Sequence, residues 1–445
     1  MKRVILKLTA ANRSYSTNTL KKPKPVVTLD TKVTDELTNE VYKPRQHPGT
    51  DRSGVIALPS WTVSAILKSV KDHSVKVLYR DSQVLSRYLK GRHMPPEENQ
   101  IKYKRQLIAD KLIQKIDIKD EEQFKKFENK VEKLLKSQVY QWQPVVYDNN
   151  KSLQYLIGRS PQEYSIILRI FNEIKKRDPD FQPRSYFDFG SGVGSGLWAA
   201  AELWKDSIFE YFMVDVSREM NDLAELILQG GEENKGKQLK NVNFRQFLPA
   251  ADVAFDVVVS AYSLFELPDT QSRLEAVLNL WNKCDRYLVI VEQGTMAGFK
   301  VINEARDFIL HLNNKDKSES IGHVFAPCPH NMTCPRLLDK TPCNFVSSYR
   351  PLPIGIDQAQ QKEMYSYVVL KKGPINDNNT WPRIVRPTLV RSKHAICRMC
   401  TKDGTLDEVI FSQAKHGKFS YRCAKSSDWG DRLPIDIQKN ADSDI

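Results

Sequence analysis

Tyr186-Phe187-Asp188-Phe189-Gly190-Ser191-Gly192-Val193-Gly194-Ser195-Gly196 is the stretch on which the fold turns. An apolar run that reads as a short strand breaks into glycines at 190, 192, 194 and 196, then into a helical pattern from Leu197 to Trp204. Glycine tolerates positive φ and lets backbone approach a ligand where a Cβ would collide. The pattern predicts a nucleotide-type cofactor site between a strand and a helix.

Outward from that loop, strand-like and helix-like runs alternate. Strands are expected at 185–189, 210–214, 242–247, 255–261 and 286–292, with helices at 195–205, 217–229, 270–282 and 296–312. Such alternation predicts βαβ units and a parallel sheet. Two further runs, 344–350 and 363–371, read as a closing pair of strands. Upstream, Ser160-Pro161-Gln162-Glu163 predicts a helix start: a capping serine, proline at the first helical position and a glutamate completing a capping box.

A dinucleotide site and an S-adenosylmethionine site both suit a glycine loop. The second strand ends in Asp215, 25 residues after Gly190, where a carboxylate can accept ribose hydroxyls in either case. The form Asp-x-Gly-Ser-Gly-x-Gly-x-Gly, beginning at Asp188, and the strand Phe255 to Ala261 favour the methyltransferase type. Candidate cofactor-binding residues are therefore Asp188, Gly190, Ser191, Gly192, Gly194, Asp215 and Ser260. Base-methylating enzymes of this fold carry an Asn/Asp-Pro-Pro-aromatic tetrad after the fourth strand, or a cysteine nucleophile following a proline. Here that position reads Ser260-Ala261-Tyr262-Ser263-Leu264-Phe265-Glu266, and no general base declares itself. Some methyl transfers need only proximity and orientation, so catalysis stays open and no catalytic residue is assigned.

The 445-residue chain has room for two or three modules, and no run reaches the roughly 18 apolar residues of a membrane span. Its formal charge of +13 is unevenly placed. Residues 1–29 hold seven Lys or Arg and no acid, with hydroxyl residues crowded at 14–19. That is the composition of a mitochondrial presequence, assigned to residues 1–25; the alternative is a basic arm. Residues 26–158 read as a helical N-terminal region. Their 61–140 stretch holds eighteen Lys/Arg against eleven Asp/Glu, ordinarily a solvated face and only a weak sign of RNA.

Six of seven cysteines lie in the last third of the chain: Cys328, Cys334, Cys343, Cys397, Cys400 and Cys423. The first three are spaced C-x5-C-x8-C inside an insertion, 324–345, of a core assigned to 159–375. Structural zinc uses paired C-x2–4-C knuckles, and only Cys397/Cys400 forms one. Prolines after Cys328 and Cys334 match a feature of one iron–sulfur ligand run. Iron–sulfur, zinc, with His330 as an alternative ligand, and scattered buried thiols are the readings this spacing allows. Residues 376–435 change character toward a small β module. Within 381–425, ten Lys/Arg and three acids are interleaved with aromatics such as Trp381 and Tyr421, which suits an RNA backbone or an ordinary basic surface. Residues 436–445 are read as a tail.

Taken together, the block Arg245 to Pro249, the strand at 255–261 with Glu266-Leu267-Pro268, Val291 to Thr295, Ala326 to His330, Tyr421 to Ala424 and Trp429-Gly430-Asp431 resemble one family. It is the mitochondrial methyltransferase-like protein 17 family, which assists assembly of the small mitochondrial ribosomal subunit, and the match runs over roughly 155–432. The resemblance implies an α/β, class I (Rossmann-like) methyltransferase fold, residence in the mitochondrial matrix, and binding as a monomer to rRNA and proteins of an immature small subunit. It also implies a [4Fe-4S] cluster on Cys328, Cys334, Cys343 and Cys400, with Cys397 as the rival for the fourth place. Many relatives have Glu-Pro-Gly-Thr-Pro where this chain has Glu292-Gln293-Gly294-Thr295-Met296, beside the expected substrate mouth.

Overall fold

A computed structural model describes residues 26–114, 120–140, 142–249, 253–315, 322–355, 359–375 and 380–438. The presequence assigned to 1–25 lies outside them. The chain opens with β1 (Val26–Leu29), α1 (Thr31–Thr38) and β2 (Val55–Ile56), then α2 (Ser60–Ser69), α3 (Val75–Lys90), α4 (Glu98–Ile113) and α5 (Glu121–Gln138). The core runs through α6 (Asn149–Arg177), β3 (Ser185–Phe189), α7 (Ser195–Trp204), β4 (Glu210–Val214), α8 (Arg218–Leu228) and β5 (Val242–Arg245). It continues with β6 (Phe255–Ala261), α9 (Thr270–Asn282), β7 (Cys284–Gln293), α10 (Met296–Lys315), β8 (Gly322–Ala326), β9 (Phe345–Tyr349) and β10 (Gln361–Lys372). The chain closes with β11 (Arg383–Ile384), β12 (Leu389–Val390), β13 (His394–Cys400), β14 (Leu406–Ser412), α11 (Gln413–Ser426) and β15 (Ile435–Gln438).

Strands β5-β4-β3-β6-β7 lie side by side and parallel. Antiparallel β10 follows β7, with β9 beyond it. That order is the class I methyltransferase topology, and the strand order reverses at β3/β6, where the glycine loop sits. Neighbouring residues of one strand feed opposite cores. Val257 and Val259 of β6 pack in one cluster with Val289 and Val291 of β7, whereas Val258 joins Leu288 and Ile290 on the other face. A sheet covered on both faces needs continuous apolar strands, which is why these runs were legible.

Two expectations fail. Ser160 and Pro161 do not start a helix; they sit inside α6, whose cap is Asp148, accepting from the Lys151 amide at 2.8 Å. Ser160 Oγ instead donates to Leu156 O at 2.5 Å, and Glu163 pairs with Arg159 one turn back. An interior proline costs about 3 kcal/mol, but every residue from Leu156 to Leu168 is buried, and that packing outweighs the local signal. The second failure is in the module, where 413–426 is helical. Ser412 caps α11, which lays Tyr421, Cys423 and Ala424 into the module core. The same core takes Val33 and Leu37 of α1, and β15 pairs with β1, so both ends of the described chain close on the module. Residues 436–438 are thus strand rather than tail, and 439–445 lie outside the described residues.

Candidate functional site

The glycine loop leaves β3 at the carboxyl edge of the sheet. Gly190 (φ +71) and Gly192 (φ +50) need the left-handed region, and a Cβ on Gly190 would come within 2.3 Å of Ser263 Cβ. The amides of Gly190 and Ser191 both donate to Val214 O, at 2.7 and 3.0 Å. Asp215 accepts from Gly192 N at 2.8 Å and Ser217 N at 2.9 Å, so both carboxylate oxygens bind this chain's own backbone. Burial pushes the Asp215 carboxyl up, and those two amides hold it back. Asp188 sits against the first turn of α7 and accepts from Tyr186 OH at 2.8 Å. Burial pushes it up to about 7. Ser260 Oγ lies 2.8 Å from Ser263 Oγ, which donates to Phe189 O. The structure therefore gathers all seven expected residues, Gly194 at the start of α7 included, at the strand-order reversal, where Asp188 and Ser260 brace the loop from behind.

Residues 142–155 lie across this crevice. Trp142 Nε1 donates to Phe265 O at 3.3 Å, Val145 N to Glu266 Oε2 at 3.2 Å, and Ser217 Oγ to Tyr147 O at 3.1 Å. Arg92 clamps the same stretch by pairing with Glu266 and donating to Gln143 O. The Tyr147 and Tyr155 rings meet edge to face at 5.4 Å, and Tyr155 lies 3.9 Å from where a Cβ on Gly192 would stand. The cavity left under them, bordered by Arg159, Glu163, Tyr262 and Glu292, has a volume of about 30 Å³. That is room for a water or two, whereas small-ligand sites start at about 300 Å³. Burial pushes Glu292 up to about 8 and also raises Glu163, against the pull of Arg159. Sequence reasoning missed these residues, although Tyr155, Arg159 and Glu163 at i, i+4, i+8 mark one helix face. Ser191 Oγ and Tyr262 OH are buried with no hydrogen-bond partner among the described residues. In residue chemistry the crevice fits S-adenosylmethionine; in volume it fits only with residues 142–148 displaced.

The cysteines meet at a junction between core and module. Arg306 of α10 donates to His330 O at 3.1 Å and Met332 O at 2.6 Å, folding the loop that follows β8. Ser366 Oγ donates to Cys343 O at 2.8 Å, anchoring that residue to β10. From the module, Arg383 Nε donates to Pro327 O at 2.9 Å and Arg386 Nη2 to Pro342 O at 3.2 Å. His330 Nε2 stands 3.2 Å from Cys400 Sγ. Cys397, three residues earlier on β13, turns to the opposite face, as strand alternation requires. Its Sγ is 3.7 Å from Ala424 O, inside the module core. Burial, then Cys328, pushes Cys334 up to about 11; Cys343 and Cys400 are also raised by burial, then by the other thiols of this group. Thiols that hinder one another's ionisation are a donor set suited to a multivalent cation. Among the described residues, however, no three His, Cys, Asp or Glu converge at ion-binding spacing. The donor types fit a cluster, and their present spacing is looser than coordination needs.

The basic stretch divides. Arg391, Lys393, Lys415, Lys418 and Arg422 are exposed, as an RNA-facing surface requires. The aromatics among them turn inward: Tyr421 is buried, and Trp381 Nε1 donates to Asp30 at 3.1 Å. No helix among the described residues is long and apolar enough to cross a membrane.

The family model described as mitochondrial small ribosomal subunit Rsm22 matches residues 149–434, which takes in the glycine loop and all four junction cysteines. The chain belongs to that family. The human ribosome assembly protein METTL17, mitochondrial, is 38% identical over 395 residues, covering 88% of this chain and 86% of the human one. A mitochondrial Rsm22-cox11 tandem protein of Schizosaccharomyces pombe is 26% identical over 383 residues, 74% of this chain and 50% of its own length. The mitochondrial ribosome assembly protein RSM22 of Saccharomyces cerevisiae is 20% identical over 409 residues, 61% of this chain and 65% of the yeast one. Family and relatives are mitochondrial, and so is this protein. Among solved structures, magnesium protoporphyrin IX methyltransferase of Synechocystis, with bound SAM, is 12% identical over 52% of this chain and 87% of that one (TM-score 0.31). Precorrin-6y C5,15-methyltransferase of Geobacter metallireducens is 10% identical over 47% and 85% (TM-score 0.29). At these scores the likeness adds nothing to the strand order, which is what makes this a class I methyltransferase fold.

Proposed function

We propose that this protein is an assembly factor of the small mitochondrial ribosomal subunit, acting in the matrix as a monomer on the immature particle and contacting its rRNA and proteins. Family membership and the human relative named as a ribosome assembly protein support this reading. One observation carries its mechanistic part: His330 Nε2 lies 3.2 Å from Cys400 Sγ, which sets the module's β13 on the loop bearing the other cysteines. In this reading Cys328, Cys334, Cys343 and Cys400 hold a [4Fe-4S] cluster. Bound, it would tie together segments now joined by hydrogen bonds and relieve the repulsion among four thiolates. The module would then present Arg391, Lys393, Lys415, Lys418 and Arg422 to RNA phosphates in a fixed orientation. Full-length protein purified without oxygen should carry about four iron and four sulfide per chain. Cys334→Ser should lose both, together with ribosome association. If the variant stays brown and on the particle, the cluster assignment fails; zinc in place of iron keeps the staple and discards the cluster.

S-adenosylmethionine is proposed to enter the crevice when residues 142–148 lift. Tyr147→Ala should then tighten its binding at least tenfold by equilibrium dialysis. Unchanged affinity in a folded variant sinks that gate.

A second reading, methyl transfer to a cytidine of the small-subunit rRNA, is favoured by Tyr262. It stands at φ +60 with its hydroxyl buried and unpartnered, at the position where base methyltransferases keep their tetrad. A strained residue of this kind costs about 1–3 kcal/mol and is a common mark of functional sites. Asp215→Ala separates the readings. Loss of an rRNA methyl mark with particle association intact, joined to methylation of naked RNA by the purified protein, makes it an enzyme.

A further inference from the structure

Far larger than the crevice is a cavity of about 600 Å³ enclosed by residues 46–53, the last turns of α6, strands β9 and β10, and the module at Arg383 and Trp429 to Arg432. Its walls are firmly set. Arg432 N donates to Gly49 O at 3.0 Å, and a Cβ on Gly49 would fall 1.8 Å from Arg432 O, so the N-terminal segment is pressed on the module. Seven Lys or Arg line the cavity against two acids, and both acids are already engaged. Glu173 accepts from Arg177, Arg383 and Tyr367, while Asp51 pairs with Arg169 and accepts from Ser53. Among the described residues, Lys176 Nζ donates to the neutral Thr50 O, at 2.7 Å, and Arg52 to the neutral Thr50 Oγ1 and Arg45 O. Arg177 Nε and Trp429 Nε1 are buried donors with no hydrogen-bond partner among the described residues.

The excess of positive charge is felt inside. Burial lowers Lys176 and Arg432; neighbouring cations act in the same direction, against the opposing pull of Asp51 on Lys176 and of Glu173 on Arg432. Burial, then Lys176, Arg52 and Arg432, brings His47 down to about 3. Cations that outnumber the carboxylates lining the same cavity make it suited to an anion.

We propose that this cavity binds a phosphate ester of nucleotide size. Arg52, Lys176 and Arg177 meet the phosphate, and the half-buried Trp429 offers aromatic surface to a base. The volume falls in the range of small-ligand sites, guanidinium groups suit phosphate oxygens, and ring faces accept a base whatever its sequence. The phosphate comes either from a free nucleotide or from one nucleotide of an RNA strand. The proposal does not depend on the cysteine junction or on ribosome assembly, because it concerns the isolated chain.

The test uses the full-length protein. AMP is titrated calorimetrically, and a fluorescent twelve-nucleotide RNA is followed by anisotropy, for wild type, Arg52→Glu, Lys176→Glu and the double variant. Both side chains lie at the exposed rim, so the fold should survive, and matching Tm and circular dichroism check that it does. Each single reversal is expected to weaken binding at least fivefold and the pair at least thirtyfold. Saturable AMP binding that the variants lose identifies a free nucleotide. If AMP binds weakly while RNA loses affinity, and its salt slope falls by about 0.7 per phosphate contact removed, the source is RNA. Absence of both kinds of binding in the wild type, equal binding by the double variant, or stronger displacement by poly-glutamate than by AMP overturns the proposal.

Discussion

The glycine loop and the cysteine junction are the two motif-bearing regions of the molecule, and they behave in opposite ways. The loop is contiguous, and its backbone adopts the positive φ values its glycines foreshadow, yet its crevice is filled by Tyr147 and Tyr155 from the same chain. The junction is scattered, from the loop after β8 to the end of β13, yet folding brings it to one place. A contiguous motif fixes local backbone. Whether a ligand can occupy the space beside it depends on what the rest of the chain puts there.

The largest expected effect breaks or secures the junction side of that contrast. Cys400→Ser should abolish iron binding and make the module melt separately from the core, since ligation is linked to folding of its site. Cys397→Ser should keep the iron and cost about 1–3 kcal/mol for burying a hydroxyl in an apolar core. Two-phase calorimetric melting of the first variant alone is the expected result; equal behaviour of the two erases the distinction between the faces of β13.

On the crevice side, Arg159→Met should destabilise the protein by about 3–5 kcal/mol in urea titrations, because it takes the cation from the buried Glu163 and leaves Glu363 with Lys90 alone among the described residues. A loss under about 1 kcal/mol would mean that the crevice is wetter than its packing indicates.

Glu292 supplies a pH test of the same packing. Burial raises its folded pKa to about 8 from an unfolded value of 4.5, so the folded state holds an extra proton between those limits. Its contribution is fully present below pH 4.5 and is lost as pH rises through about 8. Asp188, pushed up to about 7, acts in the same direction. Glu292→Gln should be near neutral at pH 5 and stabilising by about 1–3 kcal/mol at pH 8.5. Parallel stability–pH curves for wild type and variant contradict this. Smallest of the four, Asp148→Ala removes the α6 cap just past the crevice cover and should cost about 1 kcal/mol. Ser160→Ala, inside α6, should cost less.

Much of the core was legible because its signals are local. Apolar runs at 185–189, 210–214 and 255–261 mark strands covered on both faces, and the structure places strands at those ranges. The helix start at Ser160 was misread because a capping pattern says nothing about burial, and burial from Leu156 to Leu168 governs α6. The change of character over 376–435 pointed to a small β module, and Ser412 capping with the fit of Tyr421 and Cys423 to its core placed a helix within it. The spacing of Cys397 and Cys400 could not say which one faces the loop; the pleat of β13 separates them.

The sequence by itself determined the parallel sheet, the left-handed turns of the glycine loop and the basic character of the chain. Each follows from the chemistry of residues close together along the backbone. Only the tertiary structure decided that Tyr147 covers the crevice, that Cys400 meets His330, and that Arg177, Arg383 and Arg432 ring one cavity. Those facts rest on contacts between residues tens to hundreds of positions apart. Their energies arise from burial and charge, which no local pattern of residues encodes.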